Sequence, residues 1–316
     1  MSQAKGYNAQ LLMDFEPSFG VNPSGTFGMK MPVVSSNLKS KQNLIESAQI
    51  SGSRDAVAPL PGNIDVTGTV VVPVDIEAFG YWLKAMFGGY TKTGAAPSVE
   101  HTFKLAGTQP SFLIEQGYPD IDVYQLYNGC KVSKFTLNLG GDGELTASLD
   151  IMGAKETIPD PYATINASPV TFAAPRFSNC QVTSVKEGGV DFGSVVNLGL
   201  TVEFGLQGEN YTLGGGGFRT SIPEGQVKVT GNLKALFNGK DLLEKAFRAE
   251  PSAIAFKMVN AGASLEFQLP EVIFERNAPG IEGSKGILLD LPFRAFTSGG
   301  SNGSIIAKLT NGKASY

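Results

Sequence analysis

The chain has 316 residues, near twice the usual size of one domain, with 42% apolar and 17% charged residues, 39 glycines and 18 prolines. That supply fills real cores, excludes a disordered or membrane-spanning class, and favours strands joined by turns. A formal net charge of -4 and a pI near 5.2 offer no general attraction for nucleic acid or an anionic membrane surface.

Two cysteines, Cys130 and Cys180, and a single histidine, His101, supply neither a thiolate metal site nor a His-rich catalytic zinc. The two cysteines are free to pair only if folding brings them together. The opening MSQAKGYNAQLLMDF lacks the long apolar segment of a signal peptide, and no later window holds 18 apolar residues. The expectation is a soluble protein that folds in a reducing cytoplasm, with no cofactor, no metal and no membrane insertion.

In chain order, residues 1–55 are turn-rich and read as an arm or extended loop carrying short strands. In Ile64 to Val72, Ile64, Val66, Val70 and Val72 alternate with Asp65, Thr67 and Thr69, which predicts a half-buried strand ended by Pro73. Asp75 then caps a short helix whose apolar stripe is Ile76, Phe79, Leu83 and Phe87, stopped by Gly88 and Gly89. Tyr81 and Trp82 flank the stripe and face either the core or another subunit. Phe135, Leu137 and Leu139 run into the GGDG turn at Gly140 to Gly143 and return as Leu145, Ala147, Leu149 and Ile151, a hairpin. Thr157 to Pro169 breaks the periodicity and divides the halves, giving an arm (1–55), a first domain (56–158), a second (159–296) and a surface tail (297–316).

The second half repeats the signal. Val196 to Leu206 alternates, Gly214 to Gly217 forms a bent loop, and Val227, Val229, Leu233 and Ala235 resume period two. Asp241 to Phe247 predicts a helix with Asp241 as cap, Glu244 as capping-box partner, and Leu242, Leu243, Ala246 and Phe247 as its apolar surface. Strands follow around Leu265 to Leu269 and Ile287 to Phe293, with one more expected at Ser304 to Leu309 inside the tail. GNIDVTGTVV from Gly62 and GQVKVTGNLK from Gly225 both place Val-Thr-Gly in a strand before a short helix, the pattern of a tandem duplication. Two unrelated β domains with chance similarity are the plain alternative.

Chemistry is poorly supplied. Neither glycine run is followed by Lys-Ser or Lys-Thr, so neither is a phosphate loop. His101 alternates with Phe103 and Leu105 and has no local nucleophile or acidic orienter, which suits a satisfied strand residue. Glu115, Asp120 and Asp122 read as loop carboxylates before they read as a glycosidase pair. The expectation is that the chain is not an enzyme.

Five stretches taken in order resemble the tail tube protein, or major tail protein, family of long-tailed bacteriophages. They are ISGSRD (Ile50 to Asp55), GNIDVTGTVVVPVDIEAFGYWLKAMFG (Gly62 to Gly88), NGCKVSKFTLNLGGDGELTASLDIMG (Asn128 to Gly153), LPEVIFERN (Leu269 to Asn277) and LPFRAF (Leu291 to Phe296). The resemblance implies a mainly β fold with short α-helices, here as tandem duplicated β-sandwich or incomplete β-barrel domains. It implies rings joined edge to edge and stacked around a channel for DNA, as trimers with pseudo-sixfold symmetry or alternatively as hexamers. Tail initiator, tape measure and terminator proteins would be its partners, with assembly in the bacterial host cytoplasm and residence in the virion tail. For such a role, Arg54, Asp55, Phe218 and Arg219 are the expected contacts between subunits or rings, and Phe79, Leu83, Leu243 and Phe247 the expected helix cores. A sheath, tail cap or minor tail component, or a β-rich carbohydrate-binding module that stacks sugars on Trp82, are the alternatives.

Overall fold

The computed structural model describes residues 3–159, 163–281, 283–299 and 303–316. In chain order the elements are β1 (Gln10–Phe15), β2 (Met29–Lys30), β3 (Ser35–Ser36), β4 (Lys39–Ile45), β5 (Leu60–Pro73), α1 (Phe79–Phe87), β6 (Gly88–Ala95), β7 (Ser98–Leu105), β8 (Phe112–Tyr118), β9 (Val123–Leu139), β10 (Thr146–Gly153) and β11 (Lys155–Thr157). The second half adds β12 (Val182–Glu187), β13 (Val190–Asp191), β14 (Val195–Glu203), β15 (Lys228–Leu236), α2 (Asp241–Arg248), β16 (Ser252–Asn260), β17 (Ala263–Phe274), β18 (Leu288–Ala295) and β19 (Ile306–Asn311). The protein is therefore mainly β, and every ladder between these strands is antiparallel.

Two layers dominate. The first runs β4-β5-β10-β9-β14-β15-β18. The second runs β12-β16-β17-β19-β7-β6. The far end of β17, at Val272 to Phe274, turns out of the second layer to pair with β18 of the first. Alternation decides which face meets which. Val66, Val70, Leu149, Phe135, Leu137, Leu200, Val202, Leu233 and Phe293 point inward from the first layer; Phe256, Met258, Leu265, Phe267 and Leu309 point inward from the second. Phe135 stacks on Phe267 at 6.0 Å between ring centres and lies 6.5 Å from Phe79, so sheet, sheet and helix close on one core. A third, smaller sheet, β2-β1-β8-β9-β11, uses only the first half of β9.

Helix α1 forms with Phe79, Leu83 and Phe87 as expected but starts late: Ala78 takes the cap position, and Asp75 and Ile76 precede the helix. Asp75 accepts the N–H groups of Glu77 (2.7 Å) and Ala78. Burial raises its carboxyl above the ordinary range, and these N–H bonds pull it partly back. Gly88 ends the helix at φ 73°, with its N–H donating to the Lys84 carbonyl. The hairpin β9–β10 forms through the GGDG turn as expected.

Three expectations change. Residues 10–15 are no free arm: β1 pairs with β8 along its whole length, and Leu11, Leu12 and Met13 are buried. The tail is not a surface feature either, because β19 fills the gap between β17 and β7 in the middle of the second layer. A strand with ladders on both sides gains more than its short, Gly-Ser-flanked sequence advertises. In α2, Asp241 is the first helical residue rather than the cap, and Glu244 pairs with Lys240 at 2.9 Å instead of closing a capping box. Parts of the expected Thr157 to Pro169 boundary (160–162) and of the SGGSNGS stretch (300–302) lie outside the described residues.

Candidate assembly surface

Strand β5 is long, and its two ends live in different surroundings. From Val66 to Pro73 it is flanked by β10, whereas from Leu60 to Ile64 its ladder is with β4 alone. The outer part of the β4–β5 hairpin consequently has no opposing layer. Leu44, Ile45 and Leu60 remain exposed apolar residues, with Ile45 directly opposite Leu60. The loop 46–59 carries Ile50, fully exposed, together with Arg54 and Asp55. Asp55 folds back on Ser53, whose hydroxyl donates to its carboxylate at 3.0 Å, while Arg54 is exposed.

A second loop, 204–227, leaves β14 and returns to β15 after reaching the base of this hairpin. Ile64 N–H donates to the Gly217 carbonyl (2.8 Å), and Tyr211 Oη–H donates to the Ile64 carbonyl (3.3 Å). Arg219 is buried and fastens the loop down. Its guanidinium donates to the carbonyls of Gly208, Val66 (3.3 Å) and Gly153 (2.9 Å) and pairs with Asp65, beneath the Tyr211 ring. Further along, Lys131 pairs with Glu224 at 2.6 Å, and Glu224 also accepts Gln109 N–H (2.8 Å). Burial raises the Glu224 carboxyl, but these two partners hold it below its ordinary value.

The four expected contact residues take different roles. Arg54 and Asp55 are offered to solvent at the hairpin tip. Arg219 is an intramolecular anchor, since five N–H groups in a fixed fork match three converging carbonyls and a carboxylate. Phe218 is half-buried beside it, and the fully exposed apolar residue of this loop is Leu213.

The expected helix cores divide. Phe79 and Leu83 are fully buried. In α2 the buried residues are Leu242 and Ala246, so the inward face sits one residue, about 100°, away from the expected one. Leu243 is left half-buried and Phe247 is 42% exposed, its ring covered by Arg276 at 4.0 Å.

Of the residues considered for chemistry, His101, Glu115 and Trp82 are committed to structure, while Asp120 and Asp122 lie at the surface. His101 is buried, donating from Nε2 to Asn311 Oδ1 (3.1 Å) and accepting at Nδ1 from Tyr90 (2.9 Å). Glu115 is buried and accepts from Thr164 Oγ1 and Ile165 N–H, both at 2.7 Å. Trp82 is sealed against Phe112 and cannot stack on a sugar. Cys130 and Cys180 are both free. Among the described residues no helix is long and apolar enough to cross a membrane, and no group of three His, Cys, Asp or Glu side chains could hold a metal.

An antiparallel β subunit with open sheet edges and a projecting apolar hairpin has the form of a building block for an assembly. The profile of the phage tail tube protein family matches residues 6–295, and the chain belongs to that family. No curated protein matches it. It is a structural subunit of a bacteriophage tail tube and a component of the virion tail.

Proposed function

We propose that copies of this chain join edge to edge into rings and that the rings stack around a channel through which DNA passes to the host. The observation that carries this reading is the first layer. It runs seven strands across both halves of the chain and ends on β4 at one side and on β18 at the other. Among the described residues the outer side of β4 has no ladder, and that of β18 has none apart from Phe293 to Ala295, which meet β17; next to these, Glu275 N–H and Asn277 Nδ2 donate to the carbonyls of Pro292 (2.7 Å) and Asp290 (2.8 Å). Unpaired N–H and C=O groups on such edges are an aggregation hazard unless a neighbour satisfies them, and a closed ring does so for every copy. The uncovered face of this layer would then line the channel. The β4–β5 hairpin, with Leu44, Ile45, Ile50, Leu60, Arg54 and Asp55, would reach the adjacent ring.

The chain would count twice in each ring. The order strand, helix, hairpin occurs as β5–α1–β6–β7 and again as β15–α2–β16–β17. Val66-Thr67-Gly68 and Val229-Thr230-Gly231 hold corresponding places in the two strands. Each glycine admits a close neighbour: a Cβ at Gly68 would lie 2.4 Å from Leu38 Cα, and one at Gly231 2.4 Å from the Gly199 carbonyl oxygen. This favours tandem domains and a trimer with pseudo-sixfold symmetry over a hexamer. Assembly would take place in the host cytoplasm on an initiator, around a tape measure protein, and be closed by a terminator. Electron microscopy of purified protein over a concentration series tests the reading. Hollow filaments of fixed diameter are expected; single rings that never stack would instead indicate a cap.

A further inference from the structure

The uncovered face of the first layer is ordered row by row, because directly paired residues of antiparallel strands point the same way. One row reads Thr69, Asp150, Lys134, Glu203, Lys228 across β5, β10, β9, β14 and β15. Its charges alternate in sign over four neighbouring strands. Lys134 Nζ lies 3.7 Å from Glu203 Oε1, and Asp150 accepts Thr69 Oγ1–H at 2.6 Å. The next row is Ser148, Thr136, Thr201, Thr230, uncharged until Arg294, which Glu275 holds at 2.8 Å. The row after that is Asn138, Gly199, Asn232, Pro292. Lys234 and Asp290 lie opposite each other in register at the far margin, and at the near margin Lys39 and Lys41 of β4 lie opposite Thr67 and Asp65.

Resting on the channel reading above, we propose that the alternating row Asp150–Lys134–Glu203–Lys228 keeps the channel wall from holding duplex DNA. Lysine binds a nucleic acid mainly by replacing condensed counterions at phosphates. A lysine flanked on the adjacent strand by a carboxylate already has its counter-charge, so a passing phosphate gains little from it. A wall of bare carboxylates would repel the duplex, and a wall of bare lysines would retain it. The compensated row, backed by hydroxyl and amide rows that stay hydrated, does neither. Neutrality is thus built from the register rather than from an absence of charge.

The face is open in the unassembled chain, so the test is a titration of the full-length protein with a fluorescent duplex at low and moderate salt. Asp150→Asn with Glu203→Gln removes both carboxylates isosterically and leaves Lys134 and Lys228 in place. Each freed lysine adds a slope of about -0.9 in log affinity against log salt, so between roughly 50 and 200 mM salt this variant should lose about tenfold more affinity than the wild type. It should also bind more tightly at the lower salt. Lys134→Gln with Lys228→Gln should bind DNA as the wild type does, since each of these lysines sits in register with Glu203 on the neighbouring strand. Unchanged binding by the carboxylate variant overturns the proposal; so does weaker binding by the lysine variant, which would make the row a phosphate-contact strip. Micrographs of the wild type separate the two levels: tubes together with either adverse titration overturn the row alone, whereas absence of rings and tubes overturns the channel reading and the row's role with it.

Discussion

The two strand–helix–hairpin units share an element order and differ in what holds their helix. In β5–α1–β6–β7 the helix is sealed on nearly all sides: Phe79, Trp82, Leu83, Ala85, Met86 and Phe87 are buried, and Tyr316 lies across Gly80 so closely that an added Cβ would sit 2.2 Å from its ring. In β15–α2–β16–β17 only Leu242 and Ala246 are buried. Charge laces the rest, with Glu244 between Lys240 and Arg248 and with Lys245 on Glu187 at 2.7 Å. One unit is a closed aromatic core, and the other leaves Leu243 half-buried and Phe247 part-exposed. Similar local order therefore serves two ends, internal stability in the first unit and surface in the second.

The contrast breaks most directly at α1. Leu83→Ala or Trp82→Ala should cost about 3 to 5 kcal/mol, read as a lowered denaturant midpoint, because a cavity opens where no side chain can collapse into it. Next comes the tie between the units. Arg219→Met should cost about 3 kcal/mol by stranding three buried carbonyls. Limited proteolysis should then cut the loop 204–227 well before the body. Phe247→Ala should cost under about 1 kcal/mol, since the ring is already part-exposed. A loss at α2 as large as that at α1 would abolish the contrast.

The smallest effect concerns pH. Burial lowers the His101 pKa below the ordinary 6.5, partly offset by its bond to Asn311. The folded chain therefore holds the neutral ring while the unfolded chain takes up a proton, so stability falls as pH drops through about 6.5 toward the folded value. His101→Phe should be less stable at neutral pH and should lack that slope. Melting temperatures of both proteins at about pH 7.5 and 5.5 give the difference, which cancels the opposing contributions of Asp75 and Glu115.

Strong alternation made β5, β14 and the β9–β10 hairpin legible in the sequence, and the Phe79–Leu83–Phe87 stripe did the same for α1. Elsewhere the signal was too short or lay in pairing. In an eight-residue helix a phase error of one residue exchanges Leu243 and Phe247 for Leu242 and Ala246. Strand β19 owes its place to two hairpins on either side, neither of them near it in sequence. Arg219 follows four glycines, a context that reads as a loose loop, yet the carbonyls it serves come from Val66, Gly153 and Gly208. The row Asp150, Lys134, Glu203, Lys228 is scattered over 95 positions of sequence, from Lys134 to Lys228, and is visible only once register is known.

The central claim is that the seven-stranded layer continues from copy to copy. A cryo-electron-microscopy reconstruction of filaments grown from the purified chain tests it most directly. The account predicts a hollow tube with threefold rings, each showing six similar lobes, in which β4 or β18 of one subunit hydrogen-bonds to a strand of the next and the row through Lys134 and Glu203 faces the lumen. Rings in which both of those edges face solvent, or in which the second layer lines the channel, would contradict it.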